Sequence, residues 1–190
     1  MNRRSFLQTT AAALAISPRV SAQTIPSWPT ELRELAPGVF AYTQASGPGV
    51  DNASLDVQLI SLGAAHTWAD VAVYLPQRRI LFSGDIALYY VTPPAHNGQI
   101  TTWIKAIDRV LAMDVDVIVP GHGPVGTKKE LAETRAYLDL MVREARPRYE
   151  AKMSPGRAAA DIDVGRFAAW TNPERTAWNM VRLYAELAVV

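Results

Sequence analysis

Asp70-Val71-Ala72-Val73-Tyr74-Leu75-Pro76-Gln77-Arg78-Arg79-Ile80-Leu81-Phe82-Ser83-Gly84-Asp85 is the stretch on which the fold turns. Asp70 to Leu75 and Arg79 to Ser83 are aliphatic, aromatic and β-branched runs of strand length, and Pro76-Gln77 predicts a turn between them. The meander opens on the motif His66-Thr67-x-x-Asp70 and closes on Ser83-Gly84-Asp85. Further along, Val115 to Val119 predicts a short strand that runs into Pro120-Gly121-His122-Gly123. Each motif therefore sets an imidazole or a carboxylate at a strand end, where a rigid scaffold can aim several side chains at one ion.

Outward from this stretch, Leu55 to Leu62 reads as a strand with Leu55, Val57 and Leu59 on one face. Val39 to Thr43 reads as another, broken by Gly47-Pro48-Gly49. Gln99 to Met113 carries Trp103, Ile104, Ile107, Val110 and Leu111 at helical spacing, a stripe suited to cover a sheet. With the strands on either side it forms a crossover unit. Thr127-Lys128-Lys129-Glu130 is a capping box opening a long helix to about Arg146, stopped or kinked at Pro147. Asp163 to Trp170 predicts a short helix. Asn172-Pro173 predicts the cap of a last helix, buried along Trp178, Val181, Tyr184 and Leu187. Residues 23–36 form an extended approach segment held open by Pro26 and Pro29, with a short helical turn at Glu31 to Leu35. Trp103, Trp170 and Trp178 follow the helical stripes and are expected in the core, and Tyr89 and Tyr90 at a strand edge or a pocket mouth.

Composition bounds the function classes. The 190 residues, 49% hydrophobic and 19% charged, suit one globular domain. The formal net charge is +1 and the basic residues are scattered, which excludes the footprint of a nucleic-acid binder. Zero cysteines exclude disulfides and thiolate metal sites. No stretch approaches the ~20 apolar residues of a permanent membrane span. Residues 1–22 read as a targeting segment: Arg3-Arg4, then Phe6-Leu7, an apolar run from Thr9 to Ile16, and Val20-Ser21-Ala22 as a small-residue cleavage signal. It resembles a twin-arginine leader, departing from that pattern at Asn2 and Gln8, and implies export, with a periplasmic destination expected.

Taken in order, the three motifs resemble the metallo-β-lactamase-fold hydrolase superfamily, as do Pro37-Gly38-Val39-Phe40-Ala41-Tyr42 and Asn52-Ala53. The resemblance implies an α/β fold, α+β by strict layer count: a partial αβ/βα sandwich, mainly its carboxyl-terminal half. It spans residues 37–190, with an internal deletion near 54/55. By resemblance His66 is a ligand of the first metal, Asp85 the carboxylate shared by both, and His122 a ligand of the second. An acceptor would hold the His66 ring, Gly84 would permit close backbone approach at Asp85, and Pro120 and the glycines beside His122 would shape the loop around the ion. The family's His-x-His-x-Asp-His motif is absent, and the chain holds only His66, His96 and His122 as histidines. His96 matches no family ligand and is expected in an exposed loop.

The intact family holds two zinc ions and hydrolyses ester, thioester, lactone, amide or phosphate bonds. Here one zinc or none is expected, full two-metal activity is not expected, and no catalytic residue is assigned. A small-molecule substrate and self-association are the partners left open. Two alternatives stand beside the hydrolase reading: a noncatalytic binding or interaction protein on the same scaffold, and a truncated, inactive gene product.

Overall fold

The computed structural model describes residues 30–36, 39–44 and 56–189, with side chains described from residue 56 to residue 189. The expected leader at residues 1–22 and the deletion point at 54/55 lie outside the described residues. Six strands form one sheet in sequence order: β1 (Thr30–Ala36), β2 (Val39–Gln44), β3 (Val57–Gly63), β4 (Asp70–Leu75), β5 (Ile80–Leu88) and β6 (Val117–His122). Neighbours are antiparallel up to β5, and β5 and β6 are parallel. That parallel pair requires a crossover, which helix α1 (Ile100–Ala112) supplies.

Strand β1 corrects the expected approach segment. The residues read as a helical turn, Glu31 to Leu35, are extended and pair along their length with β2. A single helical turn is marginal in water, whereas pairing satisfies the same backbone groups along a ready strand. The turn between β4 and β5 forms as read: Pro76–Arg78 makes one turn of 3-10 helix, and Arg79 takes a left-handed conformation (φ 52°) that launches β5.

Burial alternates along the strands. Ile60 and Leu62 of β3, Ala72 and Tyr74 of β4, Leu81 and Ser83 of β5, and Ile118 of β6 are buried on one face. Helix α1 lies against that face and buries Ile100, Trp103, Ala106, Ile107 and Val110, the stripe read from its spacing. Each fully buried aliphatic or aromatic side chain contributes roughly 1.5–3 kcal/mol of transfer free energy, so α1 is held by its stripe rather than by its ends. Its first residue follows Gln99, which makes no side-chain cap. A remote carboxylate does this instead: Glu186 accepts from Ile100 N at 2.7 Å and from Thr101 N and Oγ1 at 3.1 and 2.8 Å. It thereby satisfies otherwise orphaned donors and sets negative charge at the helix amino-terminus.

Helix α2 (Lys128–Glu150) opens on the expected capping box, with Thr127 N and Oγ1 both donating to Glu130 Oε2 at 2.8 Å. It does not stop at Pro147, which sits inside the helix near its end. Only one turn lies beyond it, so a single ladder bond is forfeited. A short helix α3 (Pro155–Asp161) follows, capped by Ser154, and the expected helix at Asp163 to Trp170 is a 3-10 turn over Gly165–Ala169.

The last helix, α4 (Arg175–Leu187), begins after Glu174 with no side-chain cap, so Asn172-Pro173 lies ahead of it as a turn. Asn172 has φ 59°. Its expected stripe is also corrected. The buried residues are Asn179, Met180 and Leu183, while Trp178 and Val181 are 46% and 57% exposed. Polar Asn179 turns inward because it ties down a loop: it accepts from Ala95 N at 2.9 Å and donates to Pro93 O at 2.7 Å and Tyr137 Oη at 3.2 Å. That requirement rotates the apolar set by a residue.

Candidate metal centre

Asp85 lies within β5, just after Gly84, and His122 is the last residue of β6. The parallel pairing sets Gly84 opposite Pro120 and Leu88 opposite His122, so the two motifs lie side by side at one end of the sheet. His66 reaches the same place from the loop between β3 and β4. Its Nε2 lies 3.2 Å from Asp85 Oδ2, and His122 Nε2 lies 3.6 Å from Asp85 Oδ1. Residues separated by 19 and 37 positions thus share one carboxylate, each imidazole on its own oxygen.

The loop around His66 is built from within. Asp70 accepts from Thr67 N and Thr67 Oγ1, both at 2.8 Å, which closes the turn carrying His66 and explains why the motif ends in aspartate. Gly98 passes beneath: a Cβ there would stand 2.0 Å from Ala65 O and 2.4 Å from His66 O, and Gln99 N donates to Ala65 O at 2.8 Å. The His66 ring meets the Trp103 ring edge-on at 5.2 Å. Trp103 is itself fixed by its indole N–H, which donates to Ile86 O at 3.0 Å.

Two expectations about the site change. The acceptor expected for the His66 ring is not found: Nδ1 is buried without a hydrogen-bond partner among the described residues. Trp103 holds the ring by packing instead. The close approach assigned to Gly84 belongs to Gly121. Nothing lies near a Cβ at Gly84, whose role is its left-handed backbone (φ 53°), whereas a Cβ on Gly121 would sit 1.9 Å from Asp85 Oδ1.

The remaining candidates fall away from the cluster. His96 is exposed in its loop and meets Trp178 edge-on at 5.5 Å. Trp103 and Trp170 are buried as expected, and Trp178 is not. Tyr89 is buried beneath the His122 loop, its hydroxyl donating to Thr127 O at 3.3 Å, and burial pushes its phenol up beyond the ordinary range. Tyr90 is exposed, with φ 59°. Sequence reading missed Gly98, which packs against the His66 loop, and Asn179 and Glu186, which tie down the 93–95 loop and the start of α1 from far along the chain; the lone Asn and Glu in an otherwise amphipathic helix carry no local signal of that role.

The donor set suits zinc in kind, two imidazoles and a carboxylate. About 2.0–2.2 Å from a tetrahedral ion, neighbouring donors stand roughly 3.3–3.5 Å apart, and the two Nε2–oxygen separations lie close to that range. Among the described residues, however, no group of three or more such donors is arranged to hold an ion. The two imidazoles lie on different oxygens of Asp85, so the carboxylate stands between them. The His122 side chain is 55% exposed and that of His66 15%, which opens the cluster to solvent on the His122 side.

The family-model match takes in all three residues of the cluster. A family model described as the metallo-beta-lactamase superfamily matches residues 20–122, more than half of the chain. A metallo-beta-lactamase type 2 of Bacillus cereus is 30% identical over 93 residues, 46% of this chain and 35% of that protein. A linear primary-alkylsulfatase of a Pseudomonas species is 30% identical over 71 residues, 34% of this chain and 13% of that protein. Among solved structures, a stereoselective inverting sec-alkylsulfatase from a Pseudomonas species superposes with a TM-score of 0.56 at 16% identity, covering 90% of this chain and 27% of that one. At that identity the likeness is one of fold. The chain spans well under half the length of each of these relatives.

Proposed function

The chain belongs to the metallo-beta-lactamase superfamily, and from that premise we propose that it holds a single zinc ion weakly through His66, Asp85 and His122 and is a hydrolase of low turnover. The observation that carries this reading is the convergence of both imidazole Nε2 atoms on the two oxygens of Asp85. Zinc bound there supplies a Lewis acid that polarises a scissile ester-type bond and lowers the pKa of water. The chain's own residues do the rest. Gly121 leaves room for the Asp85 carboxylate, Trp103 seats the His66 ring, and exposed His122 leaves the approach open to substrate.

Two features support weakness. A ligating histidine commonly donates its other ring N–H to an acceptor, and losing such a partner typically costs about 10–100-fold in metal affinity. A metal on Nε2 would leave the ring proton on Nδ1, where no partner stands among the described residues. The open His122 side also leaves water at the cluster, so the local dielectric stays high and electrostatic stabilisation of a transition state stays small.

The names of the relatives add β-lactams and primary alkyl sulfates to the ester, thioester, lactone, amide and phosphate substrates to be assayed. Zinc content after dialysis, zinc affinity by competition with a chromophoric chelator, and turnover on that panel test the proposal. We expect no more than one ion, lost in His66→Ala and in His122→Ala, and turnover below the ordinary ~1–1000 per second. Two tightly retained ions, or zinc affinity indifferent to both substitutions, would overturn it.

A further inference from the structure

Trp178, Val181, Arg182 and Ala185 share one face of α4, at the spacing of neighbouring helical turns, and all four are exposed or half-buried. Together with His96 they line an open cavity of about 290 Å³. The His96 and Trp178 rings meet edge-on at 5.5 Å and form one corner of it. Trp68, 62% exposed, lies beneath the Arg182 guanidinium, whose Cζ stands 4.9 Å from the indole centroid. Grouped exposed apolar side chains mark interaction sites, whereas scattered ones need no explanation.

The walls are held in place. Asn179, next to Trp178, pins the loop that carries His96, accepting from Ala95 N at 2.9 Å and donating to Pro93 O at 2.7 Å. The cavity is thus formed before a ligand arrives, which spares the ligand an ordering cost. Arg182 is fixed in the same way. Its Nε donates to Glu186 Oε1 at 3.1 Å and its face rests on Trp68, while neither Nη donates to an acceptor among the described residues. Glu186 divides its charge, since the same carboxylate also accepts from Ile100 N, Thr101 N and Thr101 Oγ1.

We infer that this cavity binds a small aromatic carboxylate, its ring against Trp178, Val181 and Ala185 and its carboxylate accepting from the two Nη atoms of Arg182. A planar guanidinium matches a carboxylate with two parallel hydrogen bonds, and aromatic walls favour a flat ring. The volume stands at the small end of the ~300–1,000 Å³ of ligand sites, which suits one ring on a short arm. Charge argues against a second copy of the chain as occupant, because a two-fold axis through the patch would turn the two Arg182 guanidiniums toward each other. None of the lining residues belongs to the cluster of His66, Asp85 and His122, so the site does not rest on the hydrolase reading. Trp68, two positions after His66, links the two places.

Calorimetric titration of the full chain with 3-phenylpropionate, in the presence of a chelator, tests this. We expect saturable binding at one site with a dissociation constant of about 1 mM or below. It should be at least about tenfold tighter than for 3-phenylpropan-1-ol, which lacks the charge. Arg182→Met should equalise the acid and the alcohol. Ala185→Trp, made at an exposed position and filling the cavity, should abolish binding of both with circular dichroism unchanged. If Arg182→Met fails to fold for want of its pair with Glu186, Ala185→Trp and the two ligands decide. No saturation by 3-phenylpropionate, equal affinity for acid and alcohol in the parent chain, or binding indifferent to Ala185→Trp would overturn the proposal. So would self-association lost in Val181→Asp with no acid bound, which would give the patch to a second copy. Zinc is withheld throughout, so this reading and the zinc reading can fail separately.

Discussion

Replacing Gly121 with alanine isolates the contact that shapes the candidate site. Gly121 lies in β6 and is not among the residues of positive φ, so alanine is conformationally permitted there and the whole effect is steric. The added Cβ would stand 1.9 Å from Asp85 Oδ1, 2.9 Å from Asp85 N and 2.9 Å from Gly84 C. An ordinary carbon–oxygen contact is nearer ~3.3 Å, so the carboxylate must retreat by about 1.4 Å and the two strands must part by a few tenths of an ångström, an overpacking cost of roughly 1–3 kcal/mol. Metal sites tolerate displacements of only about 0.2 Å. Zinc affinity should therefore fall by more than the ~100-fold of a lost supporting contact. Urea denaturation in the presence of a chelator reads the steric cost, and competition titration reads the zinc. Because the shortest contact is with the Asp85 side chain, the destabilisation should shrink when Gly121→Ala is made in an Asp85→Ala background, leaving only the backbone part. A cost below about 0.5 kcal/mol, or an equal cost in both backgrounds, would refute the steric reasoning.

Asn179→Ala should cost about 2–4 kcal/mol by leaving the buried groups of the 93–95 loop and Tyr137 without their partner, read as a lower urea midpoint with an unchanged slope. Glu130 lies below the usual carboxylate range because the Thr127 hydroxyl and backbone N–H donate to it. A carboxylate depressed on folding stabilises fully above its ordinary value and loses that contribution as pH falls through its folded value, so Glu130→Gln should destabilise at neutral pH and match the parent in acid. Paired denaturation curves across that range check it.

The strands and the crossover were legible because period-two alternation, Pro76-Gln77 and the α1 stripe are local signals that the sheet then honours. So was the capping box, whose two halves lie three residues apart. The failures are nonlocal. Helix α4 shows two apolar stripes a residue apart, and the choice between them is made by backbone groups of residues 93 and 95, more than eighty positions upstream. The cap of α1 comes from Glu186 for the same reason. Glu31 to Leu35 reads as a helical turn in isolation and becomes part of strand Thr30–Ala36 because β2 offers it an edge.

At the site, the same distinction separates what geometry establishes from what chemistry must. His66, Asp85 and His122 are brought together by the β3–β4 loop and by the parallel register of β5 and β6, with hydrogen bonds and packing that involve no metal. Their convergence is thus a property of the sheet and would persist whether or not an ion is held. What an ion would ask of His66 is Nε2, which would put the ring proton on Nδ1, buried beside Trp103 without a partner among the described residues. That cost bears on occupancy, which is why zinc affinity, rather than the placement of the three residues, is the quantity on which the hydrolase reading stands.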